Sequence, residues 1–338
     1  MTSQTTLEDI MEQPGIKGKE YMIVPGTDAS LEEQLGDMYH LVTKGKSFCQ
    51  MSIEEISEMC SSWNTSSMIG GLEYLVNEAG KKQIFYDIWN EEEIKKEPSK
   101  RETGICAFPL QKNSKFVIIC PGGGYSSVCT MAEGYGIAEK LNALGYSAFI
   151  VNYRVGVGMR QKPIDDLAQA IRFIFAHAEE FHVDIKQYGV MGFSAGAHLA
   201  GMFGTESLGY VKYGLTKPGI LILGYPVVTM GVAAHEGSRE CLLGTENKDD
   251  EKLREMYSIE KQITENFPPV YVWQCEKDAA VPIENSQVLV EQLERKGIAC
   301  KYEVFPGDAH GWGLGIGTAA QGWLERAVSF GVVCEQRV

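Results

Sequence analysis

From about residue 82 onward, short apolar runs alternate with longer amphipathic stretches along the chain. Continuous apolar runs such as Phe116–Cys120 and Ile220–Leu223 are typical of strands that are covered on both faces. The stretches between the runs carry helix-terminal signals, with Pro163 at the start of one and Gly297 just after the end of another. This alternation predicts βαβ units, and therefore an α/β fold with a mostly parallel central sheet and helices on both faces.

The pattern also predicts where the individual elements lie. The predicted strands are Gln83–Trp89, Gly104–Phe108, Phe116–Cys120, Ser147–Asn152, Tyr188–Met191, Ile220–Leu223, Val270–Trp273 and Lys301–Phe305. The first two are expected to pair antiparallel across a charged loop from Glu91 to Arg101. Helices are predicted at 134–144, 163–181 and 285–296, and from Ala195 and Ala319 onward.

The first 80 residues have a different character, because they are more polar and predict short helices separated by loops. Ser52 and Glu55 have the spacing of a capping box, and Ile53 and Ile56 then fall on one helical face. Leu31–Val42 is a second amphipathic candidate. Residues 1–80 are therefore expected to form a helical extension that acts as a lid or an oligomer contact. Residues 81–338 are expected to form the α/β main domain, with a short cap insertion around 228–266.

Charge and composition narrow the classes of partner. The formal net charge is -14 without a basic cluster, which disfavours nucleic acid. No apolar run reaches the ~18 residues that a membrane span needs, and the first residues lack the features of a signal peptide. The nine cysteines form no CxxC pair, which favours a reducing cytoplasm. The six histidines are dispersed, so no metal site is expected.

One serine stands in a pattern with catalytic meaning. The segment Gly192-Phe-Ser-Ala-Gly196 follows a predicted strand and opens a predicted helix, which is the setting of a nucleophile elbow. Such a turn holds the oxygen of Ser194 above the sheet edge, and the two glycines let strand and helix approach each other closely. The alternative is a glycine-rich turn between strand and helix without any chemistry.

A second glycine cluster, Pro121-Gly-Gly-Gly-Tyr125, directly follows the strand Phe116–Cys120. Glycines at a strand end expose backbone N–H groups, which together with the N–H of Ala195 could hold a developing oxyanion. A phosphate-binding loop is the alternative, but neither a GKS/GKT sequence nor GxGxxG is present.

Three histidines follow Ser194 in the sequence and are candidates for its base. His198 lies four residues beyond the serine on the same helix, where its ring is expected to pack rather than react. His235 lies in an irregular region between strands and is expected to line the cap. His310 lies in the loop Gly307–Gly313 after a strand, where open α/β sheets place functional residues.

The acid that orients the base is expected at the end of the preceding strand. Asp278 follows Val270–Trp273 and fits this position, while Glu276 and Asp308 compete for the role. A carboxylate is needed there because a misoriented imidazole costs about four decades of rate.

With these residues in place, the chain resembles the α/β-hydrolase superfamily, and within it the esterases related to acetyl-xylan esterase and the hormone-sensitive-lipase-like carboxylesterases. The likeness covers about residues 82–335 and rests on Pro121–Tyr125, Asn152–Arg154, Gly192–Gly196, Gly224–Val227, Asp278, Val281–Pro282 and His310–Gly311. Lipase-like relatives commonly have His-Gly-Gly-Gly where this chain has Pro121 at the histidine position, as sugar-ester deacetylases often do. The resemblance and the positions favour Gly122 and Gly123 as oxyanion donors, with Ala195.

The resemblance implies a serine esterase that works through an acyl-enzyme, with Ser194, Asp278 and His310 as its triad and no cofactor. Its expected substrate is a small ester, plausibly an acetylated sugar, with Gly124, Tyr125 and Trp312 as contact residues. A prolyl-oligopeptidase-like peptidase shares the triad, but 80 polar residues are too few for the propeller of that class. A non-catalytic hydrolase-fold binding protein and a role in assembly, including a homo-oligomer, complete the alternatives.

Overall fold

The computed structural model describes residues 1–23, 43–60 and 62–335 of the chain. The predicted amphipathic stretch Leu31–Val42 lies outside these ranges. In the described part, eight strands form one sheet in the order β1-β2-β4-β3-β5-β6-β7-β8. The strands are β1 Phe85–Asp87, β2 Gly104–Phe108, β3 Ser114–Cys120, β4 Ser147–Asn152, β5 Val183–Phe193, β6 Ile220–Gly224, β7 Val270–Cys275 and β8 Cys300–Phe305.

The sheet is parallel from β4 to β8 and antiparallel at one edge, where β1 pairs with β2 and β2 pairs with β4. The prediction of a mostly parallel sheet with an antiparallel edge pair is therefore confirmed. Because β3, β5, β7 and β8 are parallel, their carboxyl ends lie along one edge of the sheet, and this edge carries the candidate site.

Helices cover both faces of this sheet. They are α1 Leu7–Met11, α2 Ile53–Glu58, α3 Thr65–Ala79, α4 Glu91–Lys96, α5 Thr130–Glu133, α6 Tyr135–Ala143, α7 Lys162–Ala176, α8 Ala178–Phe181, α9 Ala195–Phe203, α10 Glu236–Leu243, α11 Glu251–Met256, α12 Ile259–Gln262, α13 Glu284–Arg295 and α14 Trp323–Glu335. The insertion predicted around 228–266 contains α10, α11 and α12. Among the described residues, no helix is long and apolar enough to cross a membrane.

Three differences between the predicted elements and the structure have a clear physical cause. The charged loop after β1 contains α4, because Asn90 and Glu93 form a capping box that satisfies its first N–H groups. The single helix predicted over 163–181 is interrupted at His177, where the backbone leaves the helical region, and His182 then ends α8 with a positive φ of 51°. Strand β5 begins at Val183 rather than Tyr188, because Val183 pairs with Ser114 of β3 ahead of a shift in register.

The two faces of the sheet bury separate apolar cores. Along β3 the side chains alternate, so Phe116 and Ile118 belong to one core while Val117 and Ile119 belong to the other. The second core also contains residues of the N-terminal extension: Leu7, Ile10, Ile16, Ile53, Ile56, Leu72 and Leu75. In its described residues, the extension therefore shares its core with the sheet.

The described part of the extension contains the helices α1, α2 and α3, and its predicted capping box is present. The side chain of Ser52 accepts from the N–H of Glu55, and the carboxylate of Glu55 accepts from the N–H of Ser52. The carbonyl oxygen of Met22 accepts hydrogen bonds from Thr130 and Tyr135, at 3.1 and 2.6 Å. These bonds tie the extension to α5 and α6, which flank the glycine loop after β3.

Candidate active site

The turn between β5 and α9 presents the side chain of Ser194 at the sheet edge. Ser194 has φ 52° and ψ -119°, a strained conformation for a residue with a side chain. A Cβ on Gly192 would lie 2.1 Å from the carbonyl oxygen of Gly196, and a Cβ on Gly196 would lie 2.0 Å from that of Cys120. Both glycines are thus required sterically, and the segment is an elbow rather than an ordinary turn.

Ser194, His310 and Asp278 form one chain of hydrogen bonds. The Oγ of Ser194 lies 2.8 Å from Nε2 of His310, and Nδ1 of His310 lies 2.8 Å from Oδ2 of Asp278. The structure thus brings together the three residues that the sequence singled out, each from the end of a different strand. With Nδ1 donating to the carboxylate, Nε2 is left to accept the proton of the serine.

The Asp278 carboxylate is held from its other side as well. Its Oδ1 accepts from the N–H groups of Ala280 and Val281, both at 2.9 Å. The competing carboxylates of Glu276 and Asp308 are exposed to solvent, whereas Asp278 is buried. The position beside the imidazole therefore belongs to Asp278.

The glycine loop after β3 lies against the serine. A Cβ on Gly122 would lie 3.0 Å from the Cβ of Ser194. Gly123 and Gly124 have φ values of 127° and 65°, which glycine adopts without steric cost. The described part of the chain provides no acceptor for the N–H groups of Gly123, Gly124 and Ala195.

The predicted donor Gly122 has a different partner. Its N–H donates to Oε2 of the buried Glu133 over 2.6 Å, so this group is already bound. This geometry disfavours Gly122 as an oxyanion donor and favours Gly123, Gly124 and Ala195. The sequence could not show which of the three glycine N–H groups is free to donate, because this depends on a carboxylate eleven residues downstream.

The position of Tyr125 differs from the one predicted for it. Its side chain was predicted to contact substrate, but it is 1% exposed and its hydroxyl lies 2.8 Å from Nδ1 of His198. The positive φ of 62° at Tyr125 accompanies this inward orientation. Of the other two predicted contact residues, Gly124 lies in the glycine loop, and Trp312 is half-buried with its ring against Gly307. Their contact with substrate stays a prediction.

His198 does not face the serine hydroxyl. Its ring is buried, Nδ1 accepts from the hydroxyl of Tyr125, and Nε2 donates to the carbonyl of Tyr257 over 2.7 Å. Burial lowers the pKa of His198 to about 4, so the ring is neutral at physiological pH. Both ring nitrogens are therefore occupied: Nδ1 ties α9 to Tyr125 of the glycine loop, and Nε2 ties it to Tyr257 of the insertion.

Because His198 is buried in its neutral form, the free energy of unfolding should depend on pH. Since its folded pKa lies below the unfolded value of 6.5, the unfolded chain takes up the proton first as pH falls. The free energy of unfolding should therefore decrease as pH falls from about 6.5 towards 4. His198→Asn should cost about 2–3 kcal/mol at pH 7.5 and less at pH 5, measured by urea unfolding. Its kcat per folded molecule should stay within about threefold of wild type; a 100-fold loss in folded protein would instead make His198 the base.

His235 lies beside the glycine loop. A Cβ on Gly124 would lie 3.9 Å from Cε1 of His235, and the histidine caps α10 by accepting from the N–H of Ser238 at 3.2 Å. Burial lowers the pKa of His235, and the neighbouring His310 lowers it further. Its expected place in the cap is thus also a place next to the candidate site.

The N-terminal extension reaches the loop that carries His310. The hydroxyl of Ser62 donates to the carbonyl oxygen of His310. A Cβ on Gly311 would lie 3.5 Å from Nε1 of Trp63. The extension therefore helps to hold the histidine loop, a function that no motif within residues 1–80 indicates.

In residues 1–23, 43–60 and 62–335, no group of three or more His, Cys, Asp or Glu side chains could hold a metal ion.

Known proteins are similar to parts of this chain. The BD-FAE family profile matches residues 108–211. The chain is 35% identical over 217 residues to endo-1,4-beta-xylanase B of Butyrivibrio fibrisolvens, covering 61% of this chain and 34% of that protein. It is 31% identical over 214 residues to the acetylxylan esterase of Xylanibacter ruminicola, covering 62% of this chain and 44% of that protein. The chain thus spans less than half the length of these two relatives.

Solved structures resemble a larger part of the chain. The acetyl ester-xyloside bifunctional hydrolase from Caldicellulosiruptor lactoaceticus superposes with a TM-score of 0.62 at 29% identity, covering 75% of this chain and 94% of that one. The carboxylesterase Cest-2923 from Lactobacillus plantarum superposes with a TM-score of 0.55 at 26% identity, covering 63% and 81%. The resemblance to esterases that the sequence indicated is confirmed by these matches.

Proposed function

We propose that this chain, which has an α/β-hydrolase fold, is a serine esterase that hydrolyses carboxylic esters through an acyl-enzyme. The observation that carries the proposal is the hydrogen-bonded chain from Ser194 through His310 to Asp278 at the carboxyl ends of β5, β8 and β7. The relatives named esterases support the same class of reaction.

The proposed reaction begins with attack of the Ser194 oxygen on the ester carbonyl, while Nε2 of His310 takes the hydroxyl proton. The tetrahedral oxyanion accepts hydrogen bonds from the N–H groups of Gly123, Gly124 and Ala195. Asp278 keeps the imidazole oriented and stabilises its positive charge.

Collapse of this intermediate breaks the bond to the alcohol oxygen, which receives the proton from His310. Water then attacks the acyl-serine, with His310 taking one of its protons, and a second tetrahedral intermediate releases the acid and restores Ser194. Every proton transfer in this scheme uses the single nitrogen that faces the serine, so the reaction needs no further acid or base.

The proposed substrates are short acyl esters, with acetyl groups on carbohydrate as the leading case. The support is the names of two similar proteins, an acetylxylan esterase and an acetyl ester-xyloside hydrolase. A hydrolase site of this geometry would also serve a peptidase, so the substrate class has to be measured.

A series of p-nitrophenyl esters from acetate to octanoate tests the function. We expect hydrolysis well above the rate in enzyme-free buffer, with kcat/KM for acetate at least about tenfold that for octanoate, because each extra methylene must find room beside the serine. Acetate release from acetylated xylo-oligosaccharides, set against cleavage of a prolyl p-nitroanilide peptide, separates the esterase from the peptidase. Hydrolysis of no ester above the buffer rate would refute the esterase, and faster cleavage of octanoate would refute the short-acyl preference.

A further inference from the structure

A carboxylate that the proposed reaction does not use is buried beside the glycine loop. Glu133, the last residue of α5, is 3% exposed. Its Oε2 accepts from the N–H of Gly122 and its Oε1 accepts from the hydroxyl of Tyr225, both over 2.6 Å. Burying a carboxylate is strongly unfavourable unless its oxygens are paired in this way.

Tyr225 continues the network to the histidine loop. It follows β6 with a positive φ of 36°, and its N–H donates to the carbonyl of Trp273 over 2.6 Å. Its hydroxyl donates to Glu133 and accepts from the N–H of Gly313 at 3.2 Å. The ring meets the imidazole of His310 edge-to-face, with 4.8 Å between the centroids.

The donors and acceptors of this network fit an ionised Glu133. The N–H of Gly122 and the hydroxyl of Tyr225 both point a hydrogen at the carboxylate, and the single hydroxyl hydrogen of Tyr225 is used there. Burial raises the pKa of Glu133, while these two hydrogen bonds and the nearby His310 oppose that rise. The ionised carboxylate that this bonding favours lies directly against Gly122 of the glycine loop.

We propose that Glu133 and Tyr225 are positioning residues. They hold the glycine loop after β3 and the loop that carries His310 in a fixed position relative to each other. Because Gly122 is tied to Glu133, the next two N–H groups are fixed in direction, and the loop carbonyls are tied as well. The carbonyl of Pro121 accepts from the hydroxyl of Tyr153 at 2.5 Å, and that of Gly122 accepts from the N–H of Cys129 at 2.9 Å. Donors that are already oriented cost no reorganisation when the oxyanion forms.

This role rests on the proposed esterase function and concerns the transition state, not the ester ground state. Replacing Glu133 by Gln keeps the shape but puts an amide in place of one oxygen, so Gly122 and Tyr225 cannot both donate. Tyr225→Phe removes one hydroxyl and leaves the ring against Trp273 and His310. Neither side chain touches the reacting atoms in this scheme, so substrate affinity should hardly change.

The test compares kcat, KM and the inhibition constant of an aryl trifluoromethyl ketone, whose hemiketal with serine carries an oxyanion. For Glu133→Gln we expect kcat to fall about 10²-fold, comparable to the loss of one oxyanion donor, with KM within about threefold. Tyr225→Phe should lower kcat about tenfold, and the inhibition constant should rise by the same factor as kcat falls in each variant. Since an inhibition constant is read only on folded enzyme, a mere loss of folded protein would leave it unchanged.

Glu260→Gln is the matched control, because Glu260 is half-buried and burial raises its pKa too, and it should behave as wild type. If Glu133→Gln does not fold, Tyr225→Phe carries the same comparison. An unchanged inhibition constant, or a kcat within threefold of wild type in both variants, would overturn the positioning role while leaving the esterase intact. A wild-type protein that hydrolyses no ester would instead remove the proposed function, and this role with it.

Discussion

Replacing Ser194 by alanine should lower kcat/KM for p-nitrophenyl acetate by about 10⁵-fold or more, because the variant lacks the oxygen proposed to form the acyl-enzyme. The fold should be unaffected. Ser194 stands at the N-cap of α9, yet its side chain makes no capping bond there, so alanine removes only the contact with His310. The strained backbone is the same for both residues, since alanine keeps the Cβ. The measurement is kcat/KM per molecule of protein. Mass spectrometry of the trapped protein then shows whether the acyl group is attached.

Ser207→Ala is the control for this experiment, because Ser207 is exposed and bonds to Gln262 outside the site. It should retain full activity and thermal stability. A Ser194→Ala protein that keeps more than about 1% of the wild-type rate on the same ester would show that the acyl group is transferred elsewhere.

Asp278→Asn should lower kcat by about 10⁴-fold with KM nearly unchanged. The structure supplies the reason. The N–H groups of Ala280 and Val281 both point at Oδ1, so the amide oxygen of asparagine will take that position and its NH2 group will face His310. An NH2 group can only donate to Nδ1, which forces the imidazole proton onto Nε2, where it cannot accept from Ser194.

Asp308→Asn and Glu276→Gln are the matched controls, since both carboxylates compete with Asp278 on sequence grounds but are exposed. Each should stay within about threefold of wild type. If either control lost more activity than Asp278→Asn, the orienting acid would have been assigned to the wrong residue.

The sequence predicted the strands, the elbow and the three hydrogen-bonded residues because these depend on local patterns at strand ends. Ser194 was identifiable from its two glycines, and His310 and Asp278 from loops that follow apolar runs. Parallel strands then bring such loops to one edge without any further information.

The parts that sequence reasoning missed depend on contacts across the fold. Tyr125 follows the glycines as a substrate residue would, but a left-handed backbone sends its ring into the core towards His198. Glu133 is a lone acid in a four-residue helix, and only its burial against Gly122 distinguishes it from a surface residue. A charged residue just before a glycine, in an otherwise apolar stretch, was the available signal. The support of the His310 loop by Ser62 has no sequence signature.

The core shared between the N-terminal extension and the sheet determines how the chain should melt and how it can be cut. Leu7, Ile53 and Leu72 pack into the same apolar cluster as Ile119 and Trp273, so the two regions lose their order together. Calorimetry should therefore record one transition for both. Removing the first 75 residues would uncover that cluster and free the His310 loop at once. Inactivity of a shortened chain would then report collapse of the scaffold, whereas point changes at Ser62 or Trp63 can separate support of the loop from folding.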